Sequence, residues 1–236
     1  LRGFQEEFGV PAGYADYREL LRQEQPDLVS VCTWHGTHSA IAVAAAEAGA
    51  RGLLCEKPMG RDLREARAMV EAAETHGTKL AIHHQKRFDA ASVATREAVL
   101  AGAIGEPVTM LWSTGGGLLN NGCHGLDLFH YLIGEPGWAA VFGAVERTTN
   151  RYERGIPAED KAFAAVRFIG GHQLVLQVDM LEGEVAQTSR QVVGPSGLIQ
   201  CDRQSASLLA AGSRDWQPLP LRPQPTPVEE LLAWIE

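Results

Sequence analysis

Leu53-Leu54-Cys55-Glu56-Lys57-Pro58 is a short apolar run that ends abruptly in an acid, a cation and a proline. A continuous apolar run of this length reads as a strand buried on both faces, the signature of a parallel sheet. In an open α/β sheet, ligands bind at the carboxyl ends of the strands. Lys57 therefore stands at the mouth of a cleft, and Pro58 stiffens the turn that presents it. A lysine in that place is a candidate for chemistry. Spacing alone leaves a second reading open, a surface lysine entering a loop.

The flanks extend the pattern. Asp27 to Cys32 reads as another strand, followed by a helix that Thr37 caps and Gly49 stops. After Pro58, Asp62 and Glu65 form a capping-box-like start. Leu63, Ala66, Met69, Val70 and Ala73 then repeat at helical spacing as far as Gly77. Lys79-Leu80-Ala81-Ile82-His83 is a third strand. Strand, helix, strand, helix, strand at this spacing predicts parallel strands joined by right-handed crossovers, half of a doubly wound nucleotide-binding sheet.

The pattern changes after residue 84. Asp89 starts a helix that ends near Gly102, and the chain then becomes strand-rich. Val108 to Ser113 and Ala139 to Thr148 read as extended. Lys161 to Ile169 and Gln173 to Leu181 flank Gly170-Gly171, a hairpin signal. Gln191 to Val193 and Leu198 to Cys201 flank a second turn, Gly194-Pro195-Ser196-Gly197. One helix interrupts the strands, from Gly122 to Gly134. Pro218, Pro220, Pro223, Pro225 and Pro227 mark an extended connector, and Thr226-Pro227 opens a last helix. The fold class is α/β: a partial Rossmann domain over 1–84, followed by an α+β domain over 85–236 with a largely antiparallel open sheet.

Composition bounds the partners. The 236 residues are 45% hydrophobic and 21% charged, with a net charge of -8 and no basic run, which argues against a nucleic-acid surface. No apolar segment is long enough to span a bilayer, so no membrane partner is expected. Cys32, Cys55, Cys123 and Cys201 form no C-x-x-C pair and read as free thiols in a reducing cytoplasm. No metal-ligand spacing is present.

A second constellation runs Gly115-Gly116-Gly117-Leu118-Leu119-Asn120-Asn121-Gly122-Cys123-His124-Gly125-Leu126-Asp127. Glycines allow close backbone approach and an abrupt helix entry. Asn120 and His124 stand one helical turn apart, and Asp127 is spaced to hold the His124 ring. A histidine near a helix N-terminus meets the positive end of the dipole, which favours the neutral, proton-accepting ring that a general base requires. On spacing alone, a packed histidine bonded to Asp127 is the simpler reading.

Together these segments resemble the Gfo/Idh/MocA family, named for glucose–fructose oxidoreductase and inositol dehydrogenase. The resemblance spans nearly the whole chain, through Phe8-Gly9-Val10, Tyr17-Arg18-Glu19-Leu20-Leu21, Asp27 to Val31 and the helix end from Ala44 to Gly49. It is sharpest at Glu56-Lys57-Pro58, then at Lys86-Arg87-Phe88, Gly105-Glu106-Pro107 and Gly122-Cys123-His124-Gly125-Leu126-Asp127. It implies hydride transfer between NAD or NADP and a carbinol carbon of a sugar, cyclitol or polyol. It implies Lys57 between nicotinamide and substrate, His124 as the group exchanging the hydroxyl proton, and Asn120 where the family carries an aspartate. Cofactor contacts are implied for Thr33, Trp34, His35, His38, Glu56, Lys57 and Arg87, and substrate contacts for Lys57, Asn120, His124 and Asp127. The open sheet implies a homo-oligomer.

Two departures stand out. An amide at Asn120 bonds a hydroxyl but takes no proton. Trp34 and His35 replace the proline and small polar residue usual in relatives. They support an alternative, a non-catalytic relative that binds or scaffolds. The chain starts at Leu1 and contains no G-x-G-x-x-G turn, so it reads as an internal piece of a longer protein, inactive by itself.

Overall fold

In the computed structural model, which describes residues 1–153, 155–180 and 190–236, the Leu53-Leu54-Cys55 run forms the central strand of a three-stranded parallel sheet. The chain forms two compact units, Leu1–His83 with Thr226–Glu236, and His84–Pro225.

The first unit holds α1 (Arg2–Phe8), α2 (Tyr17–Glu24), β1 (Leu28–Val31), α3 (His35–Glu47), β2 (Gly52–Glu56), α4 (Leu63–His76) and β3 (Lys79–His83). The strand order is β1-β2-β3, with Val31 beside Cys55 and Glu56 beside His83. Leu53 and Cys55 are buried among Val31, Ala42, Ala45, Ala46 and Met69, as a strand covered on both faces requires. That burial pushes the Cys55 thiol up to about 12, which makes it inert.

Two helix starts differ from expectation. α3 begins at His35, two positions before Thr37. The Thr37 hydroxyl donates to the Trp34 carbonyl at 2.9 Å and meets the Thr33 hydroxyl at 2.8 Å instead of accepting an amide as a cap. At α4 the Asp62 side chain does accept from Glu65 N–H at 2.9 Å. The Glu65 carboxylate, however, turns back to Arg61 N–H at 2.8 Å, so the box is half closed. Gly77 ends α4 in the left-handed region, φ 69°.

The second unit holds α5 (Ala90–Leu100), β4 (Thr109–Thr114), α6 (Cys123–Leu132), β5 (Trp138–Glu146), β6 (Tyr152–Glu153), β7 (Ile156–Pro157), β8 (Lys161–Phe168), β9 (Gln173–Val178), β10 (Arg190–Gly194), β11 (Gly197–Cys201), β12 (Ala206–Ala210) and β13 (Gln217–Pro218). β6 and β7 form a small ladder of their own, and the other strands form one sheet ordered β13-β12-β11-β10-β4-β9-β8-β5. The expected strand end at residue 181 lies outside the described residues. Every neighbouring pair in the large sheet is antiparallel except β4 and β9, which run parallel. Gly170 and Gly171 both adopt positive φ, 90° and 87°, as the turn between β8 and β9 demands.

One face of the sheet contributes Met110, Trp112, Leu174, Leu176, Val192 and Ile199 to a core that includes Leu128, Phe129 and Leu132 of α6. β5 is exposed along its whole length, including Val141, Phe142 and Val145.

The last helix, α7 (Pro227–Ile235), opens with a complete capping box between Thr226 and Glu229. It packs on β2 and β3: Arg51 Nη2 donates to the Ile235 carbonyl at 2.6 Å, and Lys79 Nζ lies 5.2 Å from the Trp234 ring. The expected second domain ran to residue 236, but α7 belongs to the first unit. Its helical period shows that an apolar face exists and says nothing about which sheet covers it.

Candidate functional site

The first group of predicted residues lies at the carboxyl ends of β1 and β2. Glu56 closes β2 and Lys57 follows it. Glu56 Oε1 lies 2.6 Å from His83 Nδ1 on β3, and Glu56 Oε2 accepts the Lys57 N–H at 3.2 Å. His38 is buried, 1% exposed, with Nδ1 2.9 Å from the Pro58 carbonyl and Nε2 3.0 Å from the Thr33 carbonyl. It ties the loop after β1 to the turn after β2.

Trp34 caps α3 and is 39% exposed; its ring meets the buried His35 edge-on at 5.5 Å. The indole folds over Gly36, where an added Cβ would stand 2.1 Å from the ring, so only glycine fits that geometry. Thr33, Trp34 and His35 are thereby held in one short loop at the sheet's carboxyl edge.

The second group lies in the other unit. A π turn, Leu118–Gly122, runs directly into α6, with Gly122 and Cys123 both in the right-handed helical region. Asn120 sits in the π turn and His124 in the first turn of α6. The glycines before them serve an internal ligand: Gly116 and Gly117, φ 87° and 84°, donate their N–H groups to the two oxygens of Asp179 at 2.7 and 2.9 Å. The Glu159 carboxylate accepts the Leu118 N–H. Arg151 Nη1 in turn holds Asp179 at 3.1 Å.

This corrects the dipole argument for His124. The helical backbone starts at the π turn, before α6: the N–H groups of Asn121 and Gly122 bond to the Gly117 carbonyl, and the Cys123 N–H points to the carbonyls of Leu118 and Asn121.

His124 is 2% exposed, and its ring lies edge-on to His84 at 5.6 Å. Asp127 takes a different partner from the expected one. Its Oδ2 and Oδ1 accept from Arg87 Nε and Nη2 at 2.9 and 2.7 Å, a forked pair, with His84 Nδ1 3.7 Å from Oδ2. Arg87 Nη1 donates to Glu135 at 2.6 Å. Arg87 thus spends its three nitrogens on two carboxylates, and the fork clamps the 3-10 turn Gln85–Phe88 onto α6. The hydrogen bonds to Asp127 and Glu135 offset the burial of that guanidinium and hold its pKa above the ordinary arginine value.

Beside this clamp lies a group that sequence reading missed. Lys86 Nζ sits 4.3 Å from the Trp112 ring centroid, and Arg190 Cζ lies 5.9 Å from the same ring. Trp112 packs against the first turn of α6, where a Cβ on Gly125 would stand 2.4 Å from the indole. Arg190 is 2% exposed and donates from Nη1 to Ser92 Oγ at 3.2 Å. Burial, reinforced by the Arg190 charge, lowers the Lys86 ammonium to about 8. Burial also raises Asp89, against the pull of Arg203, Arg190 and Lys86. Only Lys86 carried a sequence signal, its place beside Arg87.

Among the described residues no group of three or more His, Cys, Asp or Glu is placed to hold a metal ion, and no helix is long and apolar enough to cross a membrane.

Residues 1–84 match the family model described as "Oxidoreductase family, NAD-binding Rossmann fold", and residues 110–200 match "GFO/IDH/MocA C-terminal domain". An inositol 2-dehydrogenase from Paenarthrobacter aurescens is 30% identical over 229 residues, 86% of this chain and 67% of that protein. A myo-inositol 2-dehydrogenase from Thermotoga maritima is 30% identical over 149 residues, 57% of this chain and 44% of that protein. The chain thus spans less than half of the length of that relative. An inositol dehydrogenase homologue from Azotobacter vinelandii, solved with NADH and myo-inositol, superposes with a TM-score of 0.81 over 92% of this chain and 64% of its own, at 23% identity. That likeness shows the fold.

Proposed function

The chain belongs to the Gfo/Idh/MocA oxidoreductase family, and from that premise we propose that the protein carrying it transfers a hydride between NAD or NADP and a hydroxyl-bearing carbon of a sugar, cyclitol or other polyol. The observation that carries the reading is the Glu56-Lys57-Pro58 turn at the carboxyl edge of a parallel sheet, held by His83 and His38. The non-catalytic alternative is not favoured, because the relatives by sequence are named as dehydrogenases.

The donor set suits the nicotinamide end of such a cofactor. A short loop carries the Thr33 hydroxyl and the half-exposed Trp34 ring, and His38 ties it to the turn that bears Lys57. Thr33, Trp34, His35, Glu56 and Lys57 are assigned to that end, with His38 as the residue that sets the loops. Bound nicotinamide supplies the hydride acceptor or donor. His124 takes the hydroxyl proton as the alcohol is oxidised, which balances the hydride lost from carbon. Lys57 places a cation where negative charge develops on that oxygen. Asn120 bonds a substrate hydroxyl without exchanging a proton. Asp127 contributes by anchoring Arg87 beside α6.

The exposed face of β5, with Val141, Phe142 and Val145, supports a homo-oligomer through this sheet. Four free cysteines support a reducing compartment, the cytoplasm. The test is a screen of the full-length protein with NAD and NADP against sugars, cyclitols and polyols, read as reduced-cofactor absorbance. Turnover of at least one polyol is expected; silence across the panel with both cofactors overturns the reading.

A further inference from the structure

We propose that Lys86 and Arg190, gathered around the Trp112 indole beside the helix of His124, bind the carboxylate of a sugar acid, so that the preferred substrate is an anionic polyol. This rests on the oxidoreductase reading above and narrows its substrate class.

Charge around the Trp112 ring is unmatched. Lys86 is half-buried and Arg190 is 2% exposed, and both approach one aromatic ring. Two cations withdrawn from water at one ring repel each other, and burial alone penalises each. Among the described residues neither forms an ion pair within 4.0 Å. Among the described residues, Arg203 and Asp89 act on Lys86, and the Arg190 charge acts on Asp89 and Asp202.

Asp202 is occupied within its own turn, accepting from the N–H groups of Gln204 and Ser205 at 2.7 Å each and from Ser205 Oγ at 3.1 Å. Asp89 Oδ1 lies 3.9 Å from the exposed Arg203. Among the described residues, three cations therefore face two carboxylates, one of them committed elsewhere, in a chain whose net charge is -8. A local positive excess against that background is the footprint of an anion site.

The remaining groups fit a polyhydroxy acid better than a bare anion. Trp112 Nε1 and Asp89 Oδ2 are buried with no hydrogen-bond partner among the described residues. A substrate with hydroxyls brings both an acceptor for the indole N–H and a donor for the carboxylate oxygen. The same two aspartates weigh against a dianionic phosphate and favour a single-charged carboxylate, whose two oxygens suit an ammonium and a guanidinium fork. The position is right for substrate: the Cys123 thiol, one residue before His124, acts electrostatically on Lys86, and Trp112 packs against Gly125, one residue after it.

The test compares a matched set on the full-length enzyme: a neutral hexose, its uronic acid and its 6-phosphate. The uronic acid is expected to have the highest kcat/KM. Lys86→Met should lower the ratio of uronate to hexose kcat/KM on the order of a hundredfold, through KM, and Lys86→Arg should restore most of it. An unchanged ratio in Lys86→Met, a preference for the neutral hexose, or a preference for the phosphate overturns the proposal. If the full-length protein oxidises nothing, the oxidoreductase reading fails first, and calorimetry decides the anion site separately. Glucuronate binding to the wild-type chain that Lys86→Met abolishes upholds the anion site; no binding to wild type overturns it.

Discussion

His83 Nδ1 lies 2.6 Å from Glu56 Oε1, across the register pair that joins the carboxyl ends of β3 and β2. The other Glu56 oxygen takes the Lys57 N–H, so a residue on the next strand sets the backbone from which Lys57 projects. Catalytic geometry tolerates errors well below 1 Å, which makes such support consequential. His83→Ala in the full-length enzyme should lower kcat on the order of tenfold. His83→Gln, which keeps a donor, should recover most of that. Both side chains are partly exposed, so the unfolding free energy should change by about 1 kcal/mol or less. Equal kcat for wild type and both variants, measured under saturating cofactor, would show that the pair does not support the turn.

Lys57→Ala should cut hydride transfer by at least about a hundredfold, the range for losing a positioned cation where charge develops. Its melting temperature should stay within a degree or two of wild type, since a residue at a strand's open end removes little packing. Single-turnover absorbance checks the first and thermal unfolding the second. Near-normal turnover removes Lys57 from the chemistry.

Gly125→Ala tests the contact between α6 and the sheet. The new methyl would stand 2.4 Å and 2.5 Å from Trp112 ring carbons and 3.2 Å from Leu176. A flat ring packed in a core has no room to retreat, so the variant should lose about 1–3 kcal/mol in urea unfolding. Trp112 fluorescence should shift as well. A variant as stable as wild type would mean that the indole moves freely.

Lys86 gives a stability test with a definite sign. Its ammonium titrates at about 8 in the fold, against 10.5 for a lysine side chain free in water. Between those values the unfolded chain binds more protons, so the fold gains stability as pH rises through that window. Below pH 8 both states are protonated and the whole penalty is present. Lys86→Met should therefore exceed wild type in stability at pH 7, and the difference should shrink by pH 10.5. Urea midpoints at the two values measure it; a difference independent of pH refutes the burial of this charge. The variant also loses the proposed sugar-acid preference, the usual exchange of function for stability.

Local chemistry made much of this protein legible in its sequence. A strand covered on both faces must be apolar without a break, and Leu53-Leu54-Cys55 is. Gly170-Gly171 marks a turn because both positions need positive φ, and Thr226-Pro227 marks a helix start because proline fixes a helical φ where its missing N–H costs nothing. The same locality explains the failures. Periodicity shows that α7 has an apolar face but not that β2 and β3 receive it. Spacing placed Asp127 within reach of His124, but the stronger partner was the forked guanidinium of Arg87, brought in from another element. Lys86, Trp112 and Arg190 come from a turn and two adjacent strands, and only the β10–β4 register, which sets Arg190 opposite Trp112, makes them one site. Distances between elements arise when packing and strand pairing choose among many arrangements of similar local preference, so the charge cluster beside His124 exists only in the folded chain.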